Sequence, residues 1–228
     1  MASLSANRFV TGYRLVRRRS TAAEFHAMPL PDLVKPEIWL HEITTPALVL
    51  GSTQRDDVVD LAACERGGID VVRRRSGGGA VLLVPGEVVW VDVVLPAGSA
   101  GWADDVHRPM IWLGEHLAAA FAAVGVGGTA VHDGAMISTA TSRLVCFDGL
   151  GPGELTLDGA KLVGISQRRT RVAARLQACW YTHYDAEVLP LLLRAEVEVG
   201  LLRRVATVSR AAALDVPARL VDSLNAVT

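Results

Sequence analysis

Lysine is nearly absent from this chain: only two of its 23 lysine and arginine residues are lysines, Lys35 and Lys161. Arginine takes the surface positions that lysine usually shares. A lysine kept against that bias raises the question of what a planar guanidinium fails to do where a compact ammonium succeeds. Cysteine is scarce as well. Cys64, Cys146 and Cys179, an odd number with no CxxC, argue against a disulfide framework and against a cysteine zinc site. His26, His41, His107, His116, His132 and His183 include no HExxH or HxH pair, so no metal is expected. There is no GxSxG elbow, which argues against a serine hydrolase of the α/β type. Strong charge of either sign is also missing. A formal net charge of −1 exerts no bulk pull toward nucleic acid or an anionic membrane, and neither is expected as a partner. No apolar run approaches the roughly 18 residues of a membrane-spanning helix. The opening residues lack an apolar signal core, so a cytoplasmic protein is expected. No internal repeat, low-complexity tract or clear linker interrupts the chain.

What is present is core-forming sequence. Half of the 228 residues are hydrophobic, enough for one large domain, alone or with a small appendage. Residues 8–19 read as a first strand or irregular arm ending in Arg17, Arg18 and Arg19. Residues 21–28 read as a short helix ended by Pro29 and Pro31. Strands over 37–43 and 47–51 follow. A helix over 57–66, capped by Asp56 or Asp57, stops at Gly67 and Gly68. With the strand over 69–73 it forms a strand, helix, strand unit that suits a βαβ crossover. Residues 80–84 and 88–95 are strand-rich around a turn at Pro85 and Gly86. A long helix opens at Asp104 or Asp105 and runs through Val124, with Leu117, Ala120 and Phe121 on its buried face. Residues 129–145 are irregular. Strands over 154–157 and 161–166 join as a hairpin through Asp158, Gly159 and Ala160, and 173–184 add an antiparallel strand. From residue 185 the texture is helical, broken by Pro190, Gly200 and Pro217. The fold class is α+β, a mixed, mainly antiparallel sheet flanked by helices.

One stretch combines charge with backbone freedom. In VVRRRSGGGAVLLVPGEVVWVDVV, residues 71–94, Arg73, Arg74 and Arg75 run into Ser76, Gly77, Gly78 and Gly79. Glycine lets the backbone approach a ligand, successive N–H groups can form an anion-holding nest, and arginine adds forked donors. The spacing is neither GxGxxG nor GxxxxGKS/T, which argues against a dinucleotide or P-loop site. Two readings stay open: a loop gripping an acyl or phosphoryl group, and a glycine-rich hairpin with solvated arginines. Lys161, just after a glycine turn, can present its ammonium to a carbonyl or phosphate oxygen, or it is a lysine at a hairpin end. Cys146, followed by Phe147 and Asp148, is a covalent acyl carrier if nearby positive charge favours the thiolate, or a buried structural cysteine. Cys64 reads as structural and Cys179 as core or sheet face. His132, before Asp133 and Gly134, is a histidine that could approach a site.

Three motifs, in order, resemble those of one family. LGSTQ (Leu50 to Gln54) resembles its LGxxQ strand end, RRRSGGGAV (Arg73 to Val81) its RRxSGGGAV signature, and DGAKLVGISQ (Asp158 to Gln167) its xGxKxxGxxQ hairpin. Over about residues 35–185 their order and spacing resemble the lipoate-protein ligase A and octanoyltransferase family, in the superfamily of the biotin-protein ligase catalytic domain. The resemblance implies a lipoate-ligase-like catalytic domain over 1–185, with 186–228 a short helical segment packed on it. It implies an enzyme of protein lipoylation, attaching an octanoyl or lipoyl group to the lysine of a lipoyl carrier domain. Such carriers are 2-oxoacid dehydrogenase E2 subunits and the glycine cleavage H protein. Arg74, Arg75, Ser76, Gly77, Gly78, Gly79, Gly159 and Gly164 are thereby placed at the substrate, and Lys161 at the acyl carbonyl or a phosphate.

The resemblance has two branches. Ligases activate lipoate or octanoate with ATP and magnesium through an acyl-adenylate, and usually carry Asn-Asp-Leu where this chain has Gly153-Glu154-Leu155. Cysteine-dependent octanoyltransferases carry Cys-Phe-Asp with Glu-Leu some eight residues on, as do Cys146-Phe147-Asp148 and Glu154-Leu155. By that resemblance Cys146 takes the acyl group from acyl carrier protein as a thioester and passes it on. Lys161 is its catalytic partner, and no cofactor is tightly bound. Leu82, Leu83 and Val84 stand where members usually have a histidine. A non-catalytic binder of an acyl ligand or lipoyl domain is the reading outside the enzyme class.

Overall fold

The computed structural model of the chain describes residues 12–30, 35–194 and 204–226. Its larger sheet has seven strands in the order β1 (Arg14–Ser20), β2 (Glu37–Ile43), β6 (Val88–Pro96), β10 (Ala173–Tyr181), β9 (Ala160–Arg169), β8 (Leu155–Leu157) and β7 (Thr129–Val131). β1 and β2 run parallel and the other neighbours antiparallel. A smaller sheet has the order β4 (Asp70–Arg73), β3 (Ala47–Leu50), β5 (Val81–Leu83). β3 is parallel to β4 through a crossover and antiparallel to β5. The mixed, mainly antiparallel α+β architecture is the one expected from the sequence.

Side-chain alternation along the strands sets the layers. Val89, Val91, Val93 and Leu95 of β6 and Ala174, Leu176, Ala178 and Trp180 of β10 form one cluster with α3 (Arg108–Ala123) and α5 (Arg210–Asn225). Leu113, Leu117 and Phe121 enter it from α3, and Ala213, Val216, Leu220 and Leu224 from α5. The intervening positions on the same strands are Trp90, Asp92, Arg175, Gln177 and Cys179. This second face is covered too: α1 (Ala22–Ala27) and the smaller sheet bring Phe25, Val49, Val72, Val81 and Leu83 against Trp90, Phe147 and Tyr181. The far side of the smaller sheet packs Leu48, Leu50 and Leu82 on Cys64 of α2 (Leu61–Arg66) and Leu189 of α4 (Val188–Leu191). A strip of polar side chains is thereby enclosed between two sheets.

Three elements differ from the sequence reading. Residues 57–66 are not one helix: a 3-10 turn at Asp56–Val58 precedes α2. Val59 bridges Leu193, Asp60 N donates to Leu192 O at 2.9 Å, and Arg194 N donates to Val58 O at 2.9 Å, so this pairing draws 58–60 out of the helix. The cap is Asp60, whose carboxylate accepts from Ala63 N at 2.9 Å. α3 begins at Arg108, because Asp105 Oδ1 accepts from the N–H groups of both His107 and Arg108 at 2.8 Å and Pro109 occupies the first turn. The tail does not break at Pro217. That proline lacks the N–H that would bond the Ala213 carbonyl, and Trp180 Nε1 donates to the same carbonyl at 3.3 Å instead. Residues 8–11, Pro31 and Gly200 lie outside the described residues. Among the described residues no helix is long and apolar enough to cross a membrane.

Candidate active site

The glycine turn, the end of β3 and the segment before Cys146 meet backbone to backbone. A methyl group on Gly51 would overlap the Gly78 carbonyl oxygen, and one on Gly79 would lie 2.7 Å from Cys146 N. Ala80 N donates to Leu144 O at 2.7 Å, and Cys146 N donates to Ala80 O at 3.0 Å. Gln54 clamps the junction: its Oε1 accepts from Gly51 N at 2.9 Å, and its Nε2 donates to the carbonyls of Arg143 and Leu144 at 3.1 Å. The LGSTQ motif thus acts by seating the segment that carries Cys146.

Arg74 is 4% exposed and holds the turn from inside. Its guanidinium donates to the carbonyls of Gly77 at 2.7 Å, Gly79 at 2.8 Å and Val49 at 3.2 Å. With two of the turn's carbonyls directed at Arg74, the N–H groups of Gly77, Gly78 and Gly79 have no acceptor among the described residues. Such a row is suited to an anion or a developing oxyanion. Gly78, at φ 100°, takes the left-handed backbone that closes the turn. Arg73 points away, to Gly51 O at 2.8 Å and Asp56 at 2.5 Å. Arg75 is exposed.

Cys146–Asp148 form one 3-10 turn that sends its side chains three ways. The Cys146 sulfur lies 3.5 Å from where a Gly78 methyl would stand. The Phe147 ring meets Tyr181 edge-on with centroids 5.0 Å apart, and it lies where a methyl on Gly164 would come within 3.1 Å of it. Asp148 accepts from the hydroxyls of Thr139 and Thr141.

Lys161, 5% exposed, reaches this turn from β9. Its Nζ donates to Cys146 O at 2.9 Å and Gly149 O at 2.8 Å, and pairs with Glu154 Oε2 at 2.7 Å. These three contacts match the three donors of an ammonium. Burial alone would lower the Lys161 pKa, but Glu154 and then Cys146 outweigh it and hold the ammonium above its ordinary value. Glu154 also accepts from Gly151 N at 2.6 Å and Ile165 N at 3.0 Å.

Between the sheets is a cavity of about 50 Å³. Arg74, Cys146 and Gly164 of the sequence-derived set line it, joined by His26, Trp90 and Gln177. Ser76 stands behind the wall, 3.0 Å from Ser166 Oγ and donating to Gln177 Oε1 at 3.2 Å. Lys161 is beneath the Cys146 turn and not on the wall. Gly159, at the apex of the β8–β9 hairpin, is not on the wall either. His132 is also absent from it, its Nε2 lying 2.7 Å from Ala135 O. Sequence reasoning misses His26, Trp90, Ser166 and Gln177. The available signal is the polar alternation Arg175, Gln177, Cys179 in an otherwise apolar strand, which points inward only once a second sheet covers that face.

Behind the cavity the polar strip is charged. Asp92 accepts from Trp90 Nε1 at 2.8 Å and Arg175 Nε at 2.6 Å, and lies 2.5 Å from His41 Nε2. Burial opposes its ionisation, yet His41 and Arg175 prevail and hold its carboxyl well below the usual range. His26 stacks on Trp90 with centroids 4.7 Å apart, and burial pushes its pKa down to about 3. Cys179 also lines the cavity, but burial, with Cys146 nearby, pushes its thiol up to about 12. Of the two cavity thiols, Cys146 is the one against the glycine turn, its sulfur 3.5 Å from where a Gly78 methyl would stand. Among the described residues no group of three or more His, Cys, Asp or Glu is placed to hold a metal ion.

The family model of the lipoyl protein ligase A/B catalytic domain matches residues 25–221. No curated protein matches by sequence. Among solved structures, a lipoate-protein ligase A bound with ATP superposes with a TM-score of 0.69 at 18% identity, over 94% of this chain and 85% of that one. A bi-partite lipoate protein ligase from Thermoplasma acidophilum, described with its E2 lipoyl domain, gives 0.66 at 18% identity, over 93% and 82%. The T. acidophilum protein Ta0514 with bound lipoic acid gives 0.65 at 18% identity, over 83% and 72%. At these identities the likeness is one of fold.

Proposed function

Since the chain belongs to the lipoyl protein ligase A/B catalytic-domain family, and is thus a ligase or acyltransferase of the lipoate-protein ligase type, we propose that it passes an octanoyl or lipoyl group to the lysine of a lipoyl carrier domain through a thioester on Cys146. The observation that carries this reading is Cys146 on the cavity wall with its sulfur against the glycine turn, whose N–H groups lack acceptors among the described residues. The Cys146 thiolate attacks the thioester carbonyl of an acyl donor, for which acyl carrier protein is the candidate. A new C–S bond forms at Cys146, the donor sulfur leaves, and it takes up the proton the cysteine gave. The neutral amine of the carrier lysine then attacks the Cys146 thioester, an amide forms as the C–S bond breaks, and the departing Cys146 thiolate takes up the proton that the amine loses. In both steps negative charge develops on the carbonyl oxygen, where the glycine N–H groups can stabilise it.

Lys161 serves this chemistry by fixing the Cys146 turn through two backbone carbonyls, with Glu154 holding its charge. The cavity between the sheets, with the apolar side chains of Val49, Val81, Leu83 and Trp90 in its wall, is the space proposed for the acyl chain. E2 subunits and the glycine cleavage H protein are the carriers proposed, in keeping with the E2 lipoyl domain described for the T. acidophilum ligase.

The row of free glycine N–H groups, with exposed Arg75 nearby, also suits the phosphate of an acyl-adenylate, as the ATP-dependent ligase reading requires. Mass spectrometry separates the two. Incubation with octanoyl-acyl carrier protein is expected to leave one octanoyl adduct, absent in Cys146→Ser. No adduct, together with a carrier domain modified by lipoate, ATP and magnesium, would overturn the thioester route in favour of ligation.

A further inference from the structure

We propose a second binding site, for a small organic phosphate, in a groove on the face of the larger sheet turned away from Cys146. The groove measures about 570 Å³, within the roughly 300–1,000 Å³ of small-molecule sites. It shares no lining residue with the cavity between the sheets. Leu40 and Val89, which line it, belong to the cluster beneath α3 and α5. Trp90, the next residue of β6, faces the cavity instead. The basic run that ends β1 supplies one side of the groove. Alternation puts Arg17 and Arg19 on the same face as Leu15, next to Leu40 and Glu42 of β2. Arg18 takes the other face, with its guanidinium 4.3 Å from the Trp39 ring. From α5 come Arg210 and Leu214, one helical turn apart. The turn at Pro85 and Gly86 lines the groove as well, and Arg210 Nη1 donates to Gly86 O at 2.8 Å.

Charge and surface together select the ligand. Glu42, the one acid lining the groove, pairs with Arg19 at 3.0 Å. Arg17 has no partner among the described residues, and the acceptor of Arg210 is a neutral carbonyl. Two cations are thus left without a counter-charge, in a chain whose net charge is −1. A phosphate monoester carries nearly two negative charges and three acceptor oxygens, which two guanidinium forks can match; a carboxylate brings only one charge. The ligand also needs an organic body. Leu214 is 49% exposed and stands over the same groove as the buried Leu40 and Val89. Inorganic phosphate would leave that apolar surface in water, whereas an apolar group attached to the phosphate would cover it.

Calorimetric titration of the full-length protein with 1-naphthyl phosphate and with inorganic phosphate tests this. The naphthyl ester is expected to bind at one site, at least about tenfold more tightly than inorganic phosphate. Arg17→Gln and Arg210→Gln should each weaken it about tenfold. Leu214→Asn should weaken the ester and leave inorganic phosphate unchanged. Glu42→Gln releases Arg19 and should tighten the ester by up to about fivefold, a gain that damage to the fold cannot mimic. No binding of the ester to the wild type would overturn the proposal. So would an affinity that neither arginine substitution moves, or inorganic phosphate binding as tightly as the ester. If Arg210→Gln does not fold, Arg17→Gln decides alone, and an unchanged affinity there sinks the proposal.

Discussion

At Lys161 three acceptors converge on one ammonium from different elements: Glu154, and the carbonyls of Cys146 and Gly149. A planar guanidinium cannot aim its donors in these three directions at once, which gives a physical reason for a lysine in a chain otherwise built with arginine. Lys161→Met leaves Glu154 buried beside no cation and should cost about 3–5 kcal/mol in urea unfolding. Adding Glu154→Gln to it should restore part of that loss, because the two residues share one interaction. Gly79 has the opposite character: it matters for what it lacks. Its missing methyl leaves room for the backbone of Val145 and Cys146 2.7 Å away. Gly79→Ala should displace Cys146 enough to lower the acyl-transfer rate by about 100-fold. Stability should fall by only about 1–3 kcal/mol, so steady-state rates set against thermal melting separate the two effects.

Among the elements, α5 and α2 show how distant partners set helix limits. Pro217 is tolerated in α5 because Trp180, from β10, supplies the donor that the proline removes from Ala213. Trp180→Phe should therefore destabilise the protein by about 1–3 kcal/mol through the orphaned carbonyl, apart from any packing loss. In a Pro217→Ala background, where the helix bonds its own carbonyl, the same substitution should cost less; urea midpoints of the four proteins measure the coupling. α2 is trimmed by the pairing of residues 58–60 with 192–194, which leaves Asp60 as its cap. Asp60→Ala should lower stability by about 1 kcal/mol and leave transfer unaffected, since α2 packs on the side of the smaller sheet away from the cavity.

For the molecule as a whole, enclosing polar groups between two sheets makes folding sensitive to acid. His26 would protonate near pH 6.5 when exposed but only near 3 in the fold. Above pH 6.5 it is neutral in both states and its effect on stability is constant. As the pH falls from there, the unfolded chain takes up a proton that the folded chain refuses, and stability drops by about 1.4 kcal/mol per unit toward pH 3. Asp92 acts lower down. Its folded value is depressed, so its contribution is whole above about pH 4 and is lost as the pH falls further. His26→Phe should flatten the stability profile between pH 6.5 and 5, measured by urea unfolding at three pH values. An unchanged slope would mean that His26 titrates normally.

Much of this protein was legible along the chain. Alternating apolar residues mark β6 and β10, and the glycine pair at 67 and 68 ends α2. The run RRRSGGGAV, Cys146 and Lys161 stand out by residue type and spacing alone, because backbone freedom, nucleophilicity and a rare ammonium are properties of single residues and short segments. Tertiary structure alone decided what those groups face. It turned Lys161 onto the Cys146 turn and brought Gln54 to the carbonyls of Arg143 and Leu144. It gave Pro217 its partner, and made His26, Trp90 and Gln177 a cavity wall. Each of these depends on which sheet face a second layer buries. Alternation shows that a strand has two faces, but only the pairing of residues as far as 150 positions apart determines what lies against each of them.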